Sequence, residues 1–193
     1  MQSLKCVVVG DSGTGKTSLL STAASKVFPE TVEMVCDNVT VTVTVQGKPI
    51  GVSLWDTAAA EEYDRLRVLV YPQTDVCICL FSVVDPVSFG RVKEKWYPEV
   101  QHYCSYSPVL LVGNKVDLRE DVRTIEKLDS MGQSPISHEQ GELLAQELSA
   151  CYMECSVLTQ SGLDEVLKEV VYRAIPIARP RPKKGGGGGC LLI

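Results

Sequence analysis

Histidine is nearly absent from these 193 residues, with two copies, and phenylalanine and tryptophan are scarce, with three and two. Two histidines cannot furnish a histidine-rich metal cage. His138 reads as part of a helix start and His102 as a surface residue. Cys151 and Cys155 have no histidine at metal spacing. Positive charge is in deficit, 19 Lys and Arg against 24 Asp and Glu, for a net charge of -5. A nucleic-acid-binding body is therefore not expected. No apolar stretch reaches the roughly 20 residues that span a bilayer. Met1-Gln2-Ser3-Leu4-Lys5 runs straight into the first apolar segment, so no secretory leader is expected. The eight cysteines then read as reduced intracellular thiols, with Cys77 and Cys79 in the core. No internal repeat is present.

What the chain does have is Gly10-Asp11-Ser12-Gly13-Thr14-Gly15-Lys16-Thr17, which fits the phosphate-binding pattern G-x-x-x-x-G-K-[ST]. It follows the apolar run Cys6–Val9 and precedes a segment able to form a helix, the strand–loop–helix setting that the motif needs. Glycines let backbone N–H groups wrap a polyphosphate, and the helix aims its positive end at it. Ser12, Gly13, Thr14, Gly15, Lys16, Thr17 and Ser18 are the expected phosphate contacts. Lys16 is expected to neutralise the outer phosphates, and the Thr17 hydroxyl to ligate Mg²⁺.

Candidate strands are Lys5–Val9, Asn38–Gln46, Pro49–Leu54, Val76–Val84, Val109–Val112 and Tyr152–Glu154. Val39 to Val45 alternates valine and threonine, the period of a half-buried strand, and Gln46-Gly47-Lys48-Pro49 is a turn signal closing an antiparallel hairpin. The remaining runs are short and continuously apolar, as in a parallel sheet covered on both faces. Asp85-Pro86 starts one helix, and Ser137-His138-Glu139-Gln140 fits a capping box for another. Leu163, Val166, Leu167, Val170, Val171 and Ala174 form an apolar stripe at helical spacing that reads as core. The expected class is α/β, with a mostly parallel six-stranded sheet, one antiparallel edge strand and helices on both faces. From about residue 179, proline, basic residues and five glycines replace the apolar pattern, so 1–178 is read as the domain and 179–193 as a flexible tail.

Further elements name a nucleotide. Asp56 ends an apolar run, where it can hold Mg²⁺ through water. Asn114-Lys115-Val116-Asp117 follows the fifth run, where the Asp117 carboxylate can accept both N–H donors of a guanine edge. Ser156 and Val157 follow the last run and can aim backbone N–H groups at the guanine oxygen. Phe28 can pack on the base. An ATP-using P-loop enzyme is the alternative, against which Asp117 argues.

With these stretches, and with Leu54-Trp55-Asp56-Thr57-Ala58, Glu62–Arg67, Tyr71-Pro72-Gln73-Thr74-Asp75 and Lys95–Val100, residues 3–178 resemble the Ras superfamily of small GTPases, specifically the Rho family near Rac. Residues 121–133 resemble the insert helix of Rho proteins. The resemblance implies a P-loop NTPase G domain that binds GTP and GDP with Mg²⁺. It further implies a monomeric GTPase acting as a switch between effector proteins, exchange factors and a GDP-dissociation inhibitor. It also implies a cytoskeletal role, at the cytoplasm and the cytoplasmic face of the plasma membrane. Cys190-Leu191-Leu192-Ile193 fits C-a-a-X for prenylation of Cys190, with Arg179, Arg181, Lys183 and Lys184 as a second membrane signal.

The chain departs from that family in three places. Ser12 stands where the P-loop has glycine and crowds the γ-phosphate. Ala59-Ala60 replaces Gly-Gln, so no side chain is assigned to orient the attacking water. In switch I, Met34 falls where a threonine ligates Mg²⁺, a poor exchange for a hard cation, and Thr31 is the only nearby threonine. Ser12 and Ala60 imply very slow hydrolysis and persistent GTP loading. Met34 and Ala59 imply weak GTP/GDP discrimination, which leaves a nucleotide-binding scaffold with a dead switch as the alternative.

Overall fold

A computed structural model describes residues 3–29, 31 and 38–175. Six strands form one sheet: β1 (Ser3–Val9), β2 (Val39–Val45), β3 (Lys48–Trp55), β4 (Val76–Ser82), β5 (Val109–Asn114) and β6 (Cys151–Glu154), in the order β2-β3-β1-β4-β5-β6. Every pairing is parallel except β2 with β3. Among the described residues the helices are α1 (Lys16–Ser25), α2 (Asp64–Arg67), α3 (Pro86–Arg91), α4 (Tyr97–Cys104), α5 (Val122–Asp129), α6 (His138–Glu147) and α7 (Leu163–Ala174).

Burial follows the sequence pattern. Every residue of β4 and β5 is buried, because helices cover the sheet on both faces. In β2, Val41, Val43 and Val45 are buried while Thr40, Thr42 and Thr44 are exposed, so this edge strand has one covered face. One core layer joins the sheet to α1 and α7, and the apolar stripe of α7 is buried in full. The other layer joins it to Val92, Trp96, Val100 and Cys104 on one side and to Leu144 and Ala145 of α6 on the other.

The hairpin turn has the two residues that the candidate strand bounds leave between them, one position earlier in the chain. Gln46 and Gly47 alone are left-handed, at φ 51° and 74°, and β3 resumes at Lys48. Pro49 is thus in the strand. It lies before β1 pairing begins at Gly51, where a missing N–H breaks no bond on that side. β5 runs on to Asn114, so Asn114 ends the strand instead of following it, while β4 stops at Ser82, short of Val84.

The helix starts are as read. The Asp85 carboxylate accepts from the N–H groups of Val87 and Ser88 with Pro86 in the first turn, and Ser137 and Gln140 close a capping box. Asp121 caps α5 by accepting from the Thr124 N–H, and Leu128 alone of that helix is buried. One feature has no counterpart in the sequence reading: Val92–Trp96 forms a π-helical turn between α3 and α4. Pro98 follows at once, with no N–H to donate and a ring that crowds the preceding turn. The wider turn accommodates that proline without ending the helix.

Candidate functional site

The carboxyl ends of β1, β3, β5 and β6 bring the sequence-predicted residues together. β1 ends at Val9, and the loop from Gly10 to Gly15 turns back into α1. Its glycines are required by geometry. Gly15 is left-handed at φ 99°, and a methyl group there would sit 2.5 Å from the Asn114 amide nitrogen. A methyl at Gly10 would run into the carbonyl of Leu80. The Lys16 ammonium is buried and donates to the carbonyls of Gly10 and Asp11, each at 2.9 Å. Burial pulls it below its ordinary value, with Asp56 and Asp11 opposing. Thr14 is buried and donates to Asp11 O, Ser12 and Gly13 are exposed, and Ser18 is half-buried.

Thr17 and Asp56 are in contact: the threonine hydroxyl donates to Asp56 Oδ2 at 2.6 Å. The Thr57 N–H donates to Asp56 Oδ1, and the Thr57 hydroxyl anchors this loop to Val8 O at 2.7 Å. A hydroxyl and a carboxylate at this spacing form an oxygen donor set suited to a hard divalent cation.

Asn114 and Lys115 lash the β5 end to the P-loop. Asn114 Nδ2 donates to Thr14 O at 2.8 Å, and Lys115 Nζ donates to Gly13 O at 2.7 Å. Lys115 is left-handed at φ 68°, which turns the chain into the short helical turn Val116–Leu118. Asp117 lies in that turn. Its Oδ1 is buried without a hydrogen-bond partner, an unsatisfied acceptor at the place where a guanine edge is expected. Phe28 sits after α1, partly exposed.

The β6 end differs from expectation. The Val157 N–H donates to Asn114 Oδ1 at 3.1 Å and the Ser156 N–H to Ser161 O at 2.9 Å. Both backbone donors are engaged within the protein, since buried N–H groups take partners, so neither points free at a purine oxygen. Cys155 beneath them is buried, and its thiol is pushed up to about 12 by desolvation first and by Glu154 and Asp117.

Ala59 and Ala60 lie in the loop after β3. Ala59 is half-buried against the core, and neither alanine is among the residues with positive φ, so both conformations are open to alanine. Ala60 is extended and precedes the turn Glu61–Tyr63. Thr31 is exposed, and Met34 and Cys190 lie outside the described residues.

A cluster that the sequence reading did not assign holds this loop. The buried Arg67 guanidinium donates to Glu99 Oε1 and Oε2 at 2.6 and 2.9 Å, to Asp64 Oδ1 at 2.5 Å and to Ala58 O at 2.7 Å. It stacks on Trp96, 4.9 Å from the ring centre. The Tyr71 hydroxyl donates to Glu99 Oε1 as well. The Trp96 indole N–H donates to Asp11 Oδ1 at 2.7 Å, and Arg91 bridges Asp11 and Glu61 at 3.8 and 4.0 Å. P-loop and post-β3 loop are thereby tied to one helix. The i,i+3 spacing of Asp64 and Arg67 was a visible signal. The Glu99 partner, 32 residues away, was not.

Together these features define a P-loop α/β domain with its nucleotide end at the carboxyl ends of the strands. The sequence model of the Ras family matches residues 5–176, and the chain belongs to that family. Its fold is a Ras-like G domain with β2 as the antiparallel edge. Domains of the family are GTPases that bind GTP and GDP, typically with Mg²⁺.

Proposed function

We propose that this chain is a Rho-type, Rac-like GTP-binding switch that holds GTP persistently because it hydrolyses it very slowly. Asp117 carries the reading. A buried carboxylate oxygen without a partner, beside an Asn114 and a Lys115 already fastened to the P-loop, fits a ligand edge that brings N–H donors, as guanine does. Phosphates would be held by Gly13, Thr14, Gly15, Lys16, Thr17 and Ser18, and Mg²⁺ by Thr17 and, through water, Asp56. Bound there, the ion would neutralise developing phosphate charge. Ser156 and Val157 would meet the base only after exchanging their present bonds, while Phe28 is free to cover it. The helix α5 is consistent with a Rho-type insert.

Slow hydrolysis is inferred from side chains. Ala60 has no group to orient water. Activating proteins normally supply about 10³–10⁵ in rate, roughly 4–7 kcal/mol, through an arginine and such a glutamine, and Ser12 stands where that arginine would enter. A prenyl chain on Cys190 and the basic segment 179–184 would place the protein on the cytoplasmic face of the plasma membrane, where effectors of cytoskeletal type, exchange factors and a GDP-dissociation inhibitor would meet it.

The test is to load the full chain with GTP and Mg²⁺ and to follow bound nucleotide by chromatography over hours. Retained, intact GTP supports the persistent switch, and conversion to GDP refutes slow hydrolysis. The second reading, a switch-dead scaffold, is favoured by Met34 at the Mg²⁺-threonine position and by Ala59 in place of a glycine that contacts the γ-phosphate. It predicts equal partner binding in the GDP-loaded and GTP-analogue-loaded states.

A further inference from the structure

Cys77, the second residue of β4, and Cys104, the last of α4, bring their sulfurs to 3.4 Å. Both residues are fully buried. Six cysteines are described and all are free thiols. Cys6 and Cys79 are pushed up by burial and make inert core thiols. The Cys77–Cys104 contact is different in kind, because its two sulfurs already face one another. A disulfide needs them at about 2.05 Å, so closure asks for an approach of little more than about 1 Å.

We propose that Cys77 and Cys104 are an oxidisable pair, a modification site at the β4–α4 contact that closes to a disulfide under a peroxide-class oxidant. The contact polarises the two thiols in opposite senses. The hydrogen bond from Cys77 holds Cys104 below its ordinary value against the pull of burial, while that bond and desolvation push Cys77 up. A hydrogen bond from Ser107 favours the Cys104 thiolate further, the Glu99 carboxylate opposes it, and the Lys5 ammonium favours it least. Cys104, which ends its helix beside the exposed Ser105, is the sulfur that peroxide reaches first, and Cys77, within the buried β4, is the resolving one.

The Cys104 thiolate attacks one peroxide oxygen, the O–O bond breaks, and the leaving hydroxide takes a proton to become water. The Cys77 sulfur then attacks the resulting sulfenic sulfur. The S–O bond breaks, the hydroxyl departs with the Cys77 proton as a second water, and the S–S bond forms. Two thiols and one peroxide give one disulfide and two waters. Peroxide is close to water in size, and Cys104 ends its helix beside the exposed Ser105, so fraying of that last turn admits it.

The bond would reach the switch machinery through α4. Glu99, where Arg67 and Tyr71 converge, is on the same helix, five residues before Cys104, about 7.5 Å along the axis. Fixing the end of α4 to β4 steadies the anchor of the loop from Ala58 to Arg67. The cross-link itself requires no nucleotide, so its test is independent of the GTP reading.

The experiment treats the reduced full chain with hydrogen peroxide, digests it without reductant and maps peptides by mass spectrometry. The expected product joins the Cys77 and Cys104 peptides, lighter by two hydrogens and separated again by dithiothreitol. The oxidised protein should melt higher by on the order of 5–10 °C, a shift reversed by reductant. Cys77→Ala and Cys104→Ala should each abolish the shift. Should either variant fail to fold, alkylation of denatured wild-type protein decides alone: protection of both cysteines after peroxide supports the proposal. Full alkylation of both, or Cys104 sulfinic acid with Cys77 still free, overturns it.

Discussion

A buried carboxylate oxygen without a partner costs stability until a ligand satisfies it, and Asp117 Oδ1 is such an atom. Asp117→Ala is therefore expected to leave the melting temperature of nucleotide-free protein unchanged or raised. It should cut affinity for GDP by about 10–100-fold, the worth of charge-assisted hydrogen bonds. Titration calorimetry beside thermal melting checks both, and unchanged affinity would remove Asp117 from the site. Ala60→Gln with Ser12→Gly is expected to restore hydrolysis stimulated by an activating protein, read as phosphate release, and an unchanged rate would show that these positions do not cause the defect. At this scale the sequence was legible wherever a motif sits at a strand end. Thr17 meets Asp56, and Asn114 and Lys115 reach the P-loop carbonyls, each from the strand end where its motif lies. What it did not reveal is how each polar atom is spent. The Val157 N–H bonds Asn114, a partner 43 residues distant, and no local pattern encodes that choice.

Helices and loops in this molecule are joined by side chains reaching between elements, and Arg67 is the centre of one such joint. Its guanidinium is buried with side chains of Glu99 and Asp64 and the carbonyl of Ala58 as partners. Arg67→Ala strands Glu99 largely out of solvent. Breaking a buried pair from one side costs about 3–5 kcal/mol, which lowers the melting temperature of a domain this size by roughly 6 °C or more. Nucleotide release should quicken in the same variant as the loop after β3 loosens, measured with a fluorescent GDP. A stability loss with release unaltered would confine Arg67 to a structural role. Element types were readable because periodicity and caps agree: the valine–threonine alternation of β2, the Ser137 capping box and the α7 stripe each specify one outcome. The π turn at Val92–Trp96 was not readable. A proline within a helical pattern implies a break or a kink, and contacts of Trp96 with Asp11 and Arg67 are tertiary.

For the molecule as a whole, acid response follows from carboxylates held below their ordinary values. Burial pushes Glu154 up, but hydrogen bonds from Arg119 and Tyr152 outweigh it, and Asp64 is lowered chiefly by its bond from Arg67. A depressed folded-state value means stability fully present above the ordinary carboxylate range near pH 4.5 and lost as pH falls through and below it. Thermal melts from pH 6 to 3 should show this loss, and Arg119→Ala should shrink it. The layer architecture was legible because continuous apolar runs mark strands covered on both faces. The joint that ties P-loop, π turn and post-β3 loop together emerged only in three dimensions. That joint has an optical consequence. The chain has two tryptophans: Trp55, half-buried under the Lys5 ammonium, and Trp96, buried with its indole N–H on the P-loop aspartate. With Trp55 replaced by phenylalanine, the protein's tryptophan emission would come from a single indole whose hydrogen bond ends in the phosphate loop, giving a label-free spectroscopic signal of what that loop holds.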